Sequence, residues 1–210
     1  MDPLDSNAID VPGAEVRVVR RCSSTNSVLL SENTAHAVLL AAEEQTAGRG
    51  RRGRRWYGTP GADVALSLRV LVRRPVREMP GLQIAAGVAA ARALRALGAR
   101  EAGLKWPNDL VARGAKLGGI LVQTRSGRGA TLAVIGVGIN CHATPAGLRR
   151  PVISLDACVQ PPLARNAVIE RIGKELLAAV RSFEASGAAP FLRDWDSFDA
   201  GLRPRPAKAA

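Results

Sequence analysis

The stretch DLVARGAKLGGILVQTRS, residues 109–126, decides the fold class. Two apolar runs flank Arg113, Gly114 and Ala115, so it reads as a hairpin. A hairpin at the centre of the chain implies antiparallel pairing. Working outward, ATLAVIGVGIN (130–140) reads as a strand running into glycines, and AGLKW (102–106) as a short strand stopped by Pro107. VRVVR (16–20), AVLLAAEEQ (37–45) and ALSLRVLV (65–72) complete the strands. Residues 80–98 are Ala-rich with helical spacing between Pro80 and Gly98. Residues 163–187 form a long amphipathic helix closed by Gly187, and 190–198 a short one. Ser23 or Ser24 caps a further helix at TNSVLLSEN. The expected class is α+β, with a mixed, largely antiparallel sheet flanked by helices. Residues 1–14 read as a flexible arm, 15–200 as one domain and 201–210 as a Pro-rich tail.

The chain has 210 residues, enough for a core without a disulfide or metal staple. Lys and Arg number 30 against 18 Asp and Glu, a net charge of +12 that favours anionic partners. Aromatic residues are only 3%, which argues against a base-stacking nucleic-acid platform. Cys22, Cys141 and Cys158 show no metal-binding spacing and fit a reducing compartment. The N-terminus has no signal-peptide pattern, and no apolar run reaches the roughly 18 residues of a membrane span. The expectation is a cytoplasmic protein with no membrane partner.

Four segments carry chemistry. Gly48 to Trp56, GRGRRGRRW, packs five arginines and three glycines before a tryptophan. It reads as an anion-clamping loop, mobile without ligand, or as a solvated run making nonspecific nucleic-acid contacts. Lys105 to Asp109, KWPND, places a cation at a strand end and Asn108 and Asp109 in a turn; it is either ordinary turn chemistry or a Mg²⁺-nucleotide contact. Lys116-Leu-Gly-Gly119 sets a lysine beside glycines that allow close approach to a ligand. Gly136 to Asn140, GVGIN, lacks the third glycine and the following helix of a dinucleotide fingerprint. His36 and His142 have no Ser or Cys partner at recognisable motif spacing, so a hydrolytic triad is not expected.

Together, Ser24-Thr-Asn26, Gln45, Ala47-GRGRRGRRW, KWPND, KLGGIL (116–121) and GVGIN resemble the catalytic domain of the biotin–protein ligases. The resemblance runs from about residue 16 to about residue 198. It implies the biotin–lipoate ligase catalytic fold, which is class II aminoacyl-tRNA-synthetase-like. It also implies a reaction: ATP and Mg²⁺ activate biotin to biotinyl-5′-AMP, and the biotinyl group passes to one lysine of a biotin carboxyl carrier protein. On the resemblance, Ser24, Thr25, Asn26, Gln45, Gly48, Arg49, Gly50, Arg51, Lys116 and Gly119 bind biotin, with Lys116 and Arg51 catalytic. Arg52, Gly53, Trp56, Lys105, Asn108 and Asn140 bind nucleotide, and Asp109 serves its Mg²⁺.

Family members often carry an N-terminal helix-turn-helix and a C-terminal β-domain. The sequence matches neither, so specific DNA binding is not expected. A weak, ligand-promoted homodimer is compatible with the resemblance. A lipoate or octanoate ligase or transferase of the same superfamily, a biotin- or adenylate-holding protein with reduced transfer, and a nonspecific nucleic-acid binder are the competing readings.

Overall fold

The computed structural model describes residues 3–127, 129–148 and 150–200. Seven strands form one sheet: β1 (Glu15–Cys22), β2 (Val38–Gln45), β3 (Val64–Val72), β4 (Gly103–Lys105), β5 (Asp109–Ala112), β6 (Ala115–Ser126) and β7 (Thr131–Ile139). Their order is β1-β2-β3-β7-β6-β5-β4. Only β1 and β2 run parallel, joined through the helix α1 (Thr25–Ser31). Every other neighbouring pair is antiparallel. The hairpin of residues 109–126 turns where expected. Arg113 and Gly114 both have positive φ, 51° and 73°, the backbone that a two-residue hairpin turn demands.

Side-chain alternation divides the sheet into two unequal faces. On β7, Ala133, Ile135, Val137 and Ile139 point into the main core, whereas Val134 joins a small cluster with Leu29, Val38 and Leu40 under α1. The main core lies beneath α2 (Pro80–Ala96), which is buried almost all round. Small residues let α2 sit deep. A Cβ on Gly87 would lie 3.1 Å from the Trp195 ring, and one on Gly81 2.7 Å from the Ala188 methyl. Two outer helices, α3 (Arg165–Ser186) and α4 (Ala189–Phe198), cover α2 with Phe183, Phe191 and Trp195. Gly187 ends α3 at φ 67°.

The N-terminal arm differs from expectation. Leu4, Ile9 and Val11 are buried in the main core, and the Leu4 amide donates to Glu43 Oε1 at 2.6 Å. Three apolar side chains spaced through a polar segment suffice to dock it, so its described part (3–14) is not loose. Residues 1–2 and the tail 201–210 lie outside the described residues. No described helix is long and apolar enough to cross a membrane.

Candidate active site

The sheet face under α1 loses its side chains toward one end. On β7, Val134 is followed on the same face by Gly136 and Gly138. A Cβ on Gly136 would fall 2.2 Å from Asn26 Oδ1, and one on Gly138 would fall 2.6 Å from the Trp56 ring. The glycines of GVGIN are therefore the floor on which Asn26 and Trp56 rest. Above and beside this floor opens a cavity of about 760 Å³, a size typical of small-molecule sites.

Ser24, Thr25 and Asn26 reach the cavity from the first turn of α1. Ser24 occupies the N-cap position, but its side chain makes no capping hydrogen bond. Gln45, at the end of β2, accepts from Thr25 N (2.9 Å) and Thr25 Oγ1 (3.2 Å) through its Oε1. Asn26 is 3% exposed and fully partnered: Nδ2 donates to Leu121 O (3.2 Å) and Gln123 Oε1 (2.9 Å), and Oδ1 accepts from Ser67 Oγ (2.6 Å). Ser67 Oγ also lies within hydrogen-bond distance of Thr25 Oγ1, at 2.7 Å. Ser67 and Gln123 belong to this polar network, yet no motif marks them: Ser67 is a lone hydroxyl among apolar neighbours, and Gln123 opens the polar end of its strand.

The arginine segment is a small hairpin and not an irregular loop. Gly50 N donates to Arg54 O (2.7 Å) and Trp56 N to Gly48 O (2.9 Å), while Arg52 and Gly53 at the tip have φ of 55° and 73°. Arg49, Gly50, Arg51, Arg52, Arg54, Arg55, Trp56 and Tyr57 all line the cavity. Gly48 and Gly53 do not. Gly48 is buried against Trp56, where a Cβ would lie 2.8 Å from Trp56 O, and Gly53 lies at the hairpin tip with open space around it. Gly48 thus shapes the hairpin without bordering the cavity.

Lys116, on β6, lies with Asp109 of β5 in a salt bridge. Its backbone is gripped from the other side: Lys116 N donates to Pro151 O (3.0 Å) and Lys116 O accepts from Ile153 N (2.9 Å). Asn140 Nδ2 donates to Lys116 O and Ile153 O, both at 3.2 Å, which locks the two segments together. Those bonds use both of its amide hydrogens. Burial pushes the Lys116 ammonium below its usual range, against the pull of Asp109. Its Nζ lies 5.9 Å from the Trp56 ring centroid. Arg150 Nη1 approaches the other oxygen of Asp109 at 3.5 Å. Asn108 lines the cavity and pins its turn to β6 through Nδ2 and Ile120 O (3.1 Å).

Lys105 does not reach the cavity. On β4 the alternation turns Leu104 into the core and leaves Lys105 exposed. Its neighbour Trp106 lines the cavity instead, 44% exposed and edge-on to Trp195 with centroids 5.6 Å apart. Pro145, Leu148, Arg150 and Val152 also line it, from a proline-rich segment without periodicity. Residue spacing shows nothing there, because these positions meet the site only after β7 has paired with β3 and β6.

Cys141, His142 and Asp156 stand in a row, with Sγ to Nε2 3.9 Å and Nδ1 to Oδ2 2.9 Å. The cysteine and histidine are sequence neighbours, and the fold adds Asp156 from 14 residues further on. The cysteine is fully buried, and burial pushes its thiol to about 12, so it is no nucleophile.

Six arginines and Lys116 thus face Asp109, the one carboxylate lining the cavity among the described residues. Such a field selects anions. A magnesium ion carried mainly by phosphate oxygens needs one or two protein carboxylates, which Asp109 fits. The described residues hold no cluster of three or more metal-ligating side chains.

Residues 18–140 match the profile described as "Biotin/lipoate A/B protein ligase family". The chain belongs to the biotin/lipoate A/B protein ligase family. It is similar to the "Bifunctional ligase/repressor BirA" of Escherichia coli strain K12, 36% identical over 93% of this chain and 62% of that protein. It is 40% identical to the "Biotin--[acetyl-CoA-carboxylase] ligase" of Mycobacterium tuberculosis, over 79% of this chain and 64% of that one. The chain therefore spans under two thirds of the length of these family members. In fold it is similar to the biotin protein ligase of Aquifex aeolicus solved with biotin and ATP, at TM-score 0.74 and 22% identity over 89% of this chain and 78% of that one.

Proposed function

We propose that this chain joins biotin to ATP, forming biotinyl-5′-AMP and pyrophosphate, and transfers the biotinyl group to one lysine amine of a biotin carboxyl carrier domain. The observation that carries the reading is the single cavity in which the Ser24–Asn26 turn, the arginine hairpin and Lys116 converge. The relatives named as biotin ligases support it, as does a neighbour solved with biotin and ATP.

In this reading Ser24, Thr25, Asn26 and Gln45 line the pocket for the ureido ring, and the buried Ser67 behind them holds Thr25 and Asn26 in place. Preset groups add no reorganisation when the ligand binds. The first step brings a carboxylate onto a triphosphate, and the two anions repel. Lys116, Arg49 and Arg51 offset the charge that develops between them. Arg52 and the hairpin hold the adenylate, Trp56 covers it, and Asn108 and Asn140 fix the walls on the nucleotide side. Asp109 would hold the Mg²⁺ that arrives with the nucleotide; that ion supplies neutralisation of phosphate charge. In the second step AMP is already a good leaving group, so the enzyme chiefly positions the amine and excludes water.

The test is incubation of the protein with biotin, MgATP and a biotin carboxyl carrier domain, followed by intact mass of the carrier. One biotinyl increment that requires ATP is expected. An increment with lipoate but not biotin would move the assignment to the lipoate branch. Adenylate without transfer would confine the activity to activation.

A further inference from the structure

Asp63, the residue before β3, is 4% exposed and belongs to none of the motifs above. Its two carboxylate oxygens serve two different chain segments. Oδ2 accepts from Thr59 N at 2.6 Å, at the exit of the arginine hairpin. Oδ1 accepts from Cys141 N at 3.2 Å, where the chain leaves β7 for the proline-rich wall of the cavity. The two segments touch once more nearby, through His142 N and Ala62 O at 2.9 Å. Cys141 follows Asn140, whose amide holds Lys116 and Ile153. On the hairpin side, Gly58 lies between Asp63 and Trp56: a Cβ on it would be 3.4 Å from Asp63 Oδ2 and 3.3 Å from Trp56 Nε1. That indole nitrogen is buried without a protein partner.

We propose that Asp63 is a positioning residue for the site: its ionised carboxylate ties the arginine hairpin to the segment after β7, so that the two walls of the cavity are placed as one unit. The proposal rests on the ligase reading only for what those walls enclose. The chemistry demands the ion. A carboxylate accepts strongly on both oxygens, whereas a protonated acid carries a hydrogen on one of them, leaving it a donor and a poor acceptor, and an amide replaces one with a nitrogen that only donates. With either of these, one N–H would lose its partner and one wall its anchor.

The ion is held at a disadvantage. Burial raises the carboxyl from 3.8 to about 6, and the Thr59 and Cys141 amides, Arg165 and His142 only partly offset this. Arg165 reaches in from α3 and is bonded to Glu43 of β2. His142 is bonded to Asp156 on its own segment. Because the folded-state value is raised, this group makes the fold more stable at pH 5 than at pH 7.5. The walls should behave oppositely and loosen at pH 5.

Hydrogen–deuterium exchange on the ligand-free chain tests this, with rates corrected for intrinsic pH dependence. In the parent, peptides covering 46–60 and 141–148 should exchange about ten-fold faster at pH 5 than at pH 7.5. Asp63→Asn should show the fast rates at both values. Its carrier biotinylation should fall about ten-fold at pH 7.5, chiefly in kcat. Wall exchange in the parent that does not change between the two pH values would overturn the proposal without need of any variant. So would an Asp63→Asn chain with parental exchange and transfer. Exchange that tracks the melting temperature would mark Asp63 as a general stabiliser and also refute it. Failure of the ligase reading would show separately, as no transfer by the parent.

Discussion

Replacing Gly136 by alanine adds one methyl group where Asn26 stands. The new Cβ would lie 2.2 Å from Asn26 Oδ1, 3.0 Å from its Cγ and 3.3 Å from its Nδ2. The backbone cannot retreat, because β7 is paired on both sides, with Gly136 opposite Ser67 of β3 and Leu121 of β6. The asparagine must move, and with it go its bonds to Ser67, Leu121 and Gln123. At roughly 1 kcal/mol net for each bond, the loss is about 2–3 kcal/mol. For a domain of this size the melting temperature should fall by about 4–12 °C. Biotin affinity, measured by calorimetry, should fall at least ten-fold. Asn26→Ala by itself loses the same bonds, so the double variant should be no worse than Asn26→Ala alone. Additive losses in that cycle would refute the steric argument, because they would show that the methyl group acts elsewhere.

Lys116→Ala should reduce biotin-dependent ATP–pyrophosphate exchange by about 10²–10³-fold while biotin still binds, and parental exchange would remove the lysine from the reaction. Arg51→Gly should let the adenylate escape, seen by mass spectrometry as biotin on many lysines of a bystander protein; strict labelling of the carrier would contradict the clamp. Leu4→Ala with Ile9→Ala should lower stability by about 4–6 kcal/mol, because both side chains are buried in the main core. An unchanged urea midpoint would mean that the arm contributes nothing.

Short-range features are legible in the residue order alone. The hairpin of residues 109–126 announces itself through two apolar runs around Arg113 and Gly114, and α2 and α3 through helical spacing between a proline and glycines. Motif residues such as Asn26, Arg51 and Lys116 are legible as types, because a dense arginine–glycine run and a lysine beside Gly118 and Gly119 are unusual on any surface. Lys105 misleads: it sits in a motif, but the strand's period of two turns it away from the cavity and presents Trp106. The arm misleads because Leu4, Ile9 and Val11 are spaced too irregularly to show a period. Ser67, Gln123 and Arg150 carry no signal, because each meets the site from a distant part of the chain.

The sequence by itself determined which segments become strands and helices and which side chains carry charge. Both follow from local backbone preference and from the alternation of apolar residues. Only the tertiary structure decided that β1 pairs parallel with β2 and that β7 lies at the centre. It also placed the glycines of that strand beneath Asn26 and Trp56, and brought the two cavity walls together at Asp63. These are contacts between residues tens of positions apart, and burial and close packing select among pairings that local sequence leaves equivalent.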